Sequence, residues 1–121
     1  MNIRSLNSNQ SGLLQLLHCI DNDFDIIILS EIWNTNLDFY SNLLKGYTLY
    51  YDLPQNSNCG GLGMFILDKN KAKLRPDLSL QNSPQNRLEN IWVEIIKNNT
   101  NYIVGGIYRH PIIIYLNSVQ H

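Results

Sequence analysis

Three polar residues stand at the ends of apolar runs, where α/β folds place their reactive groups. Glu31 follows Ile26-Ile27-Ile28-Leu29-Ser30, Tyr108 closes Gly105-Gly106-Ile107-Tyr108, and Asn2 opens the short segment Asn2-Ile3-Arg4-Ser5-Leu6. A carboxylate just past a buried strand suits a hard cation. Mg²⁺ takes one or two carboxylates and keeps several waters, so a single Glu can suffice. An amide and a phenol nearby can orient a phosphate and the water that attacks it. The same residue types also serve ordinary structural ends, with Glu31 capping the next segment and Tyr108 packing half-buried. Residue type alone leaves both readings open.

The other reactive side chains carry less. His110 lies two residues past Tyr108, so a continuing strand puts both on one face, where His110 could act as a base. His18 flanks an apolar helical stripe, which suits packing or surface, and His121 follows Val119-Gln120. Cys19 and Cys59 are too few for a disulfide scaffold and lack metal-ligand spacing; Cys19 is expected buried on a helix and Cys59 in a loop. Gly60-Gly61-Leu62-Gly63 lacks the lysine and the following helix of a phosphate-binding loop, so its glycines serve a turn. Arg4, Arg109 and His110 are candidates for nucleic-acid contact, an ordinary surface position being the alternative.

The elements that position these residues follow from periodicity. Leu13, Leu16, Leu17 and Ile20, widened by Leu14, predict a helix over residues 10–21, capped by Ser8 or Asn9. Residues 24–29 form a β-branched run without alternation, expected as a strand buried on both faces. Residues 1–6 offer a stub of strand. Leu37, Tyr40, Leu43 and Leu44 predict a second, shorter helix stopped by Gly46. Strands follow at 47–51, 62–67 and 71–74, then a surface loop over 77–90. Residues 91–97 and 102–108 predict a hairpin joined by the four residues 98–101, with a further apolar run at 112–116. Trp92 and Glu94 share one face of their strand, expected wet or lightly covered. The order predicts an α/β domain with a mixed, largely antiparallel sheet and helices on one face.

Composition bounds the function. With 121 residues the chain is about one domain, and its 44% hydrophobic fraction argues against wholesale disorder. A net charge of −1 and only 16% charged residues exclude nucleic-acid binding by bulk charge, so any such contact must be local. No apolar run approaches the roughly 18 residues that span a bilayer, and the first residues lack the apolar stretch of a secretory signal. The sequons Asn9-Gln10-Ser11 and Asn98-Asn99-Thr100 then follow from an asparagine-rich composition. A soluble, reduced, intracellular domain without membrane contact is expected.

Five segments occur in series: Asn2-Ile3-Arg4-Ser5-Leu6; Asp25-Ile26-Ile27-Ile28-Leu29-Ser30-Glu31-Ile32-Trp33; Gly60-Gly61-Leu62-Gly63-Met64-Phe65-Ile66; Ile91-Trp92-Val93-Glu94-Ile95; and Gly105-Gly106-Ile107-Tyr108-Arg109-His110-Pro111. In this order they resemble the endonuclease/exonuclease/phosphatase family. Ser30-Glu31-Ile32-Trp33 and Ile107-Tyr108-Arg109-His110-Pro111 are most similar to the apurinic-endonuclease-like domain of LINE-type (non-LTR) retrotransposons. The resemblance implies a four-layer α/β sandwich that cleaves phosphodiesters with Mg²⁺ or Mn²⁺. It implies that Asn2 helps position the phosphate, that Glu31 binds the metal and that Tyr108 contacts the scissile phosphate. It also implies DNA as the partner, a reverse transcriptase downstream in the parent polyprotein, and a nuclear site of action if the parent element is active.

The family's Gly-Asp-Phe-Asn-like and Ser-Asp-His-like segments, which supply the Asp, Asn and His that handle water and proton, have no counterpart here. The last Asp is Asp77 and the last Glu is Glu94. Family members also carry strand residues ahead of the Asn-Ile-Arg-Ser-Leu segment, where this chain has Met1. Residues 1–121 are therefore expected to be the N-terminal portion of one such domain, trimmed at both ends and inactive alone. Two alternatives stand beside this: a minimal metal-dependent nuclease using Asn2, Glu31 and Tyr108, and an interaction module that pairs, with itself or another chain, through open sheet edges.

Overall fold

A computed structural model describes residues 1–19, 24–33, 40–54, 60–81 and 87–109. The leucine stripe forms α1 (Leu6–Cys19), which begins four residues earlier than its periodicity predicts. The reason is local. Ser5, not Ser8 or Asn9, supplies the cap: its Oγ accepts the Ser8 N–H at 3.2 Å. Asn9 lies inside the first turn and donates back to the Ile3 and Arg4 carbonyls. The buried stripe is also narrower than expected, because Leu14 and Leu16 are exposed.

Two antiparallel sheets follow. The first contains β1 (Ile26–Ser30), β2 (Tyr47–Asp52) and β3 (Leu62–Leu67), with β3 in the centre. The second contains β4 (Lys71–Leu74), β5 (Leu88–Lys97) and β6 (Thr100–Arg109), with β5 in the centre. Alternation along β3 divides the core. Phe65 joins Ile27, Leu29, Leu6 and Leu13 beneath α1, while Leu62, Met64 and Ile66 meet Ile91, Val93 and Ile95 of the second sheet. The layers therefore run helix, sheet, sheet. Covering both faces of β3 explains its unbroken apolar run.

This corrects the expectation of one mixed sheet with helices on one face. The domain is of mixed α/β type, but among the described residues six strands form two sheets and α1 is the one α-helix. Every pairing between strands is antiparallel. Parallel pairing among the described residues is confined to a bridge between Asn2 and Ser30, so the strand stub over residues 1–6 is a single bridge. A single six-stranded sheet would leave an apolar face for helices to cover; two sheets cover each other.

Three boundaries also differ. In the predicted second helix, residues 34–39 lie outside the described residues, and 40–46 form turns that bury Tyr40 and Leu44. The predicted 77–90 loop contains the end of a 3₁₀ turn (Pro76–Leu78) and the start of β5 at Leu88; residues 82–86 lie outside the described residues. The hairpin has a two-residue turn rather than four. Asn98 and Asn99 both take left-handed backbone, at φ 54° and 62°, which gives the mirror-type turn that matches strand twist. Cys59, His110, the run at 112–116, His121 and the side chain of Cys19 lie outside the described residues. No described helix is long and apolar enough to cross a membrane.

Candidate functional site

The segment at residues 1–6 lies beside the exit of β1. Ile3 N–H donates to the Ser30 carbonyl at 3.0 Å, Ser5 N–H to Glu31 at 2.8 Å and Leu6 N–H to Ile32 at 2.9 Å. Buried Ile3 and Leu6 anchor this segment in the core under α1. Asn2, as bridge partner of Ser30, lies one position from Glu31. It is exposed.

Backbone strain collects at this exit. Glu31 and Trp33 both adopt φ 57°, and Arg4 and Ser5 adopt 45° and 80°. The remaining non-glycine residues of positive φ among those described are Asn98 and Asn99, in the hairpin turn. Left-handed backbone costs a non-glycine residue about 1–2 kcal/mol, so it persists where surrounding contacts over-determine it. Those contacts come from the turn before β3: Ile32 N–H donates to the Gly61 carbonyl at 3.3 Å and Trp33 N–H to Gly60 at 2.9 Å. Gly61 itself has φ 96°, and a β-carbon there would press on Leu53 and Ile32.

Tyr108 reaches the same place from the second sheet. Alternation along β6 turns Val104, Gly106 and Tyr108 inward, and Gly106 leaves room for Met64 and Leu62 of β3. The Tyr108 hydroxyl donates to Glu31 Oε1 at 2.8 Å. Glu31 Oε2 lies 3.8 Å from Arg4 Nε, with the Glu31 side chain 20% exposed and that of Arg4 76%. At that distance and exposure Arg4 adds a weak, screened attraction.

The structure thus gathers Asn2, Arg4, Glu31 and Tyr108 at one end of the two sheets. Arg109 is exposed next to Tyr108. Among the described residues no three His, Cys, Asp or Glu side chains gather as a metal cluster, so a cation here would rest on Glu31 and water. The donor chemistry fits that use: one carboxylate oxygen is oriented by a phenol, and the other faces an exposed, weakly held guanidinium that a divalent metal can displace.

Sequence periodicity missed one residue. Glu89 falls in the predicted loop but belongs to β5, in phase with Ile91, Val93 and Ile95, and is 3% exposed. Its Oε1 accepts the Gly61 N–H at 3.1 Å. The signal was a carboxylate one step before a clear alternation. The marked shifts in acidity lie away from this end. A hydrogen bond from Lys97 at 2.6 Å, then one from Asn70, holds Asp25 below the usual carboxylate range. Arg75 does the same to Asp77. The Lys97–Asp25 pair ties the end of β5 to the segment before β1, while the Arg75–Asp77 pair is local to the 3₁₀ turn.

No family model, curated protein or solved structure matches the chain.

Proposed function

We propose that this chain carries the metal- and phosphate-contacting part of a LINE-type retrotransposon endonuclease, a divalent-metal-dependent enzyme cleaving DNA phosphodiester bonds. The observation that supports it most is the meeting of Glu31 and Tyr108, 77 residues apart, through a 2.8 Å hydrogen bond. Residue type and segment order point to the same two residues. The stacking of helix, sheet and sheet supports reading the domain as part of a four-layer α/β sandwich.

In this reading Glu31 holds Mg²⁺ or Mn²⁺ through its carboxylate, and Tyr108 fixes the side-chain orientation by donating to Oε1. A bound cation would polarise a phosphoryl oxygen and offset the charge that grows on it. The Asn2 amide, one position away and exposed, can donate to a phosphate oxygen. Arg4 and Arg109 can contact the DNA backbone. Among the described residues none at this site takes the role of the family's Asp and His, which orient the water and move its proton, so in this reading the chain alone does not cleave DNA. In the parent, DNA is the partner, a reverse transcriptase follows, and action is nuclear if the element is active.

Two measurements test this together. Mn²⁺ should broaden NMR signals around Glu31 in the wild-type chain and not in Glu31→Ala, and supercoiled plasmid should stay intact with Mg²⁺ or EDTA. Absence of Mn²⁺ binding at Glu31 rejects the reading. Mg²⁺-dependent nicking that disappears in Glu31→Ala instead establishes the minimal-nuclease alternative.

One observation favours a second reading, an interaction module. Ile96, Ile103 and Ile107 stand about half-exposed on the outward face of the second sheet, and β6 is a ten-residue edge strand. Such a surface invites pairing. A defined dimer by light scattering supports it, and a monomer removes it.

A further inference from the structure

We propose that Glu89 is a positioning residue that holds, through the Gly60–Gly61 turn, the backbone carrying Glu31; this rests on the metal-site reading of Glu31 above. The chemistry of the position is unusual. The inward face of β5 otherwise carries Ile91, Val93 and Ile95, all at most 4% exposed. A carboxylate in that row gives up hydration, a cost that only good hydrogen bonding offsets. An apolar residue there would extend the core at no such cost.

The route from Glu89 to Glu31 runs through the turn before β3. Glu89 Oε1 accepts the N–H of Gly61 at 3.1 Å. Gly61 in turn accepts Ile32 N–H through its carbonyl, and Gly60 accepts Trp33 N–H. The segment Glu31 to Trp33, with left-handed backbone at both ends, is therefore held by a turn that Glu89 itself holds. Glu89 is also the register partner of Tyr108 across β5 and β6, and Tyr108 donates to Glu31, so the carboxylate lies at the strand position beside the phenol. One buried carboxylate thus holds the turn on which the backbone around Glu31 rests. Glu89 touches no reacting atom. Its effect passes through Gly61.

The experiment is NMR on the full 121-residue chain as wild type, Glu89→Gln and Glu89→Leu, with Mn²⁺ as the metal probe. The wild type should show a through-hydrogen-bond coupling from Gly61 nitrogen to the Glu89 carboxyl carbon. This reading needs no variant to fold, and lack of coupling overturns the proposal. In Glu89→Leu, amide exchange at Gly61, Ile32 and Trp33 should speed up by about tenfold or more, while β3 and β5 core amides stay within about threefold. Mn²⁺ affinity should fall by about tenfold or more, the usual effect of losing a residue that orients a ligand. Glu89→Gln, which keeps an acceptor oxygen, should restore both.

Uniform acceleration across all amides would mark Glu89 as a general stability residue and overturn the proposal. So would unchanged exchange at Gly61 and Trp33. If the wild type binds no Mn²⁺, the metal reading of Glu31 fails, while the coupling and exchange still decide what Glu89 positions.

Discussion

Replacing Tyr108 by Phe removes one oxygen and leaves the ring that packs on the second core cluster. The lost interaction is the 2.8 Å bond to Glu31 Oε1. Hydrogen bonds to charged groups contribute about 1.5–3 kcal/mol net. The Glu31 side chain is 20% exposed, so water recovers part of this and about 1–2 kcal/mol remains. Arg4 cannot compensate, because at 3.8 Å and 76% side-chain exposure it attracts Glu31 weakly. For a chain of this size the loss corresponds to a fall in melting temperature of about 3–10 °C. A double-mutant cycle isolates the pair: urea unfolding of wild type, Tyr108→Phe, Glu31→Ala and the double variant. The coupling energy should be about 1–2 kcal/mol. Coupling below about 0.3 kcal/mol would refute the claim that the phenol and carboxylate hold each other.

Four other outcomes are expected. A β-carbon at Gly105 would lie 2.4 Å from the Trp92 ring, so Gly105→Ala should displace the indole, cost about 1–3 kcal/mol and shift tryptophan emission; unchanged emission and denaturation midpoint would count against it. Asp25 is held below its ordinary acidity by Lys97 and Asn70, so its contribution is present above the unfolded value and lost as pH falls through the folded one. Asp25→Asn should thus be less stable than wild type near neutrality and converge with it in acid, as thermal melts across pH will show. Asn99 sits at φ 62°, so Asn99→Gly should leave stability within a few tenths of a kcal/mol, and Asn99→Val should cost about 1–2 kcal/mol by chemical denaturation. Phe65 is fully buried, and Phe65→Ala should cost about 3–5 kcal/mol by the same measurement.

Features set by neighbours in the chain were legible in the sequence. The apolar runs at 26–30 and 62–67 are strands because β-branched and large apolar side chains favour a pleated, covered surface. The hairpin could be expected from two such runs flanking asparagines, and the α1 stripe from leucines at helical spacing. Glu31 and Tyr108 were visible as polar ends of apolar strands. The start of α1 was not, because the cap depends on Ser5 taking φ 80°, a backbone choice set by hydrogen bonds to the exit of β1.

Only the tertiary structure decided that six strands form two sheets rather than one. Each strand's alternation says which residues share a face, not which other strand covers it. That choice depends on β3 offering Phe65 to the helix and Met64 to β5 at once. The same holds at the candidate site. Residue type placed Glu31 and Tyr108 at strand ends, but the 2.8 Å between them results from the register of β5 with β6 and the packing of one sheet on the other. Glu89 was hidden for the same reason. A buried carboxylate is unfavourable on any local scale, and its place becomes intelligible only with the Gly61 amide opposite it.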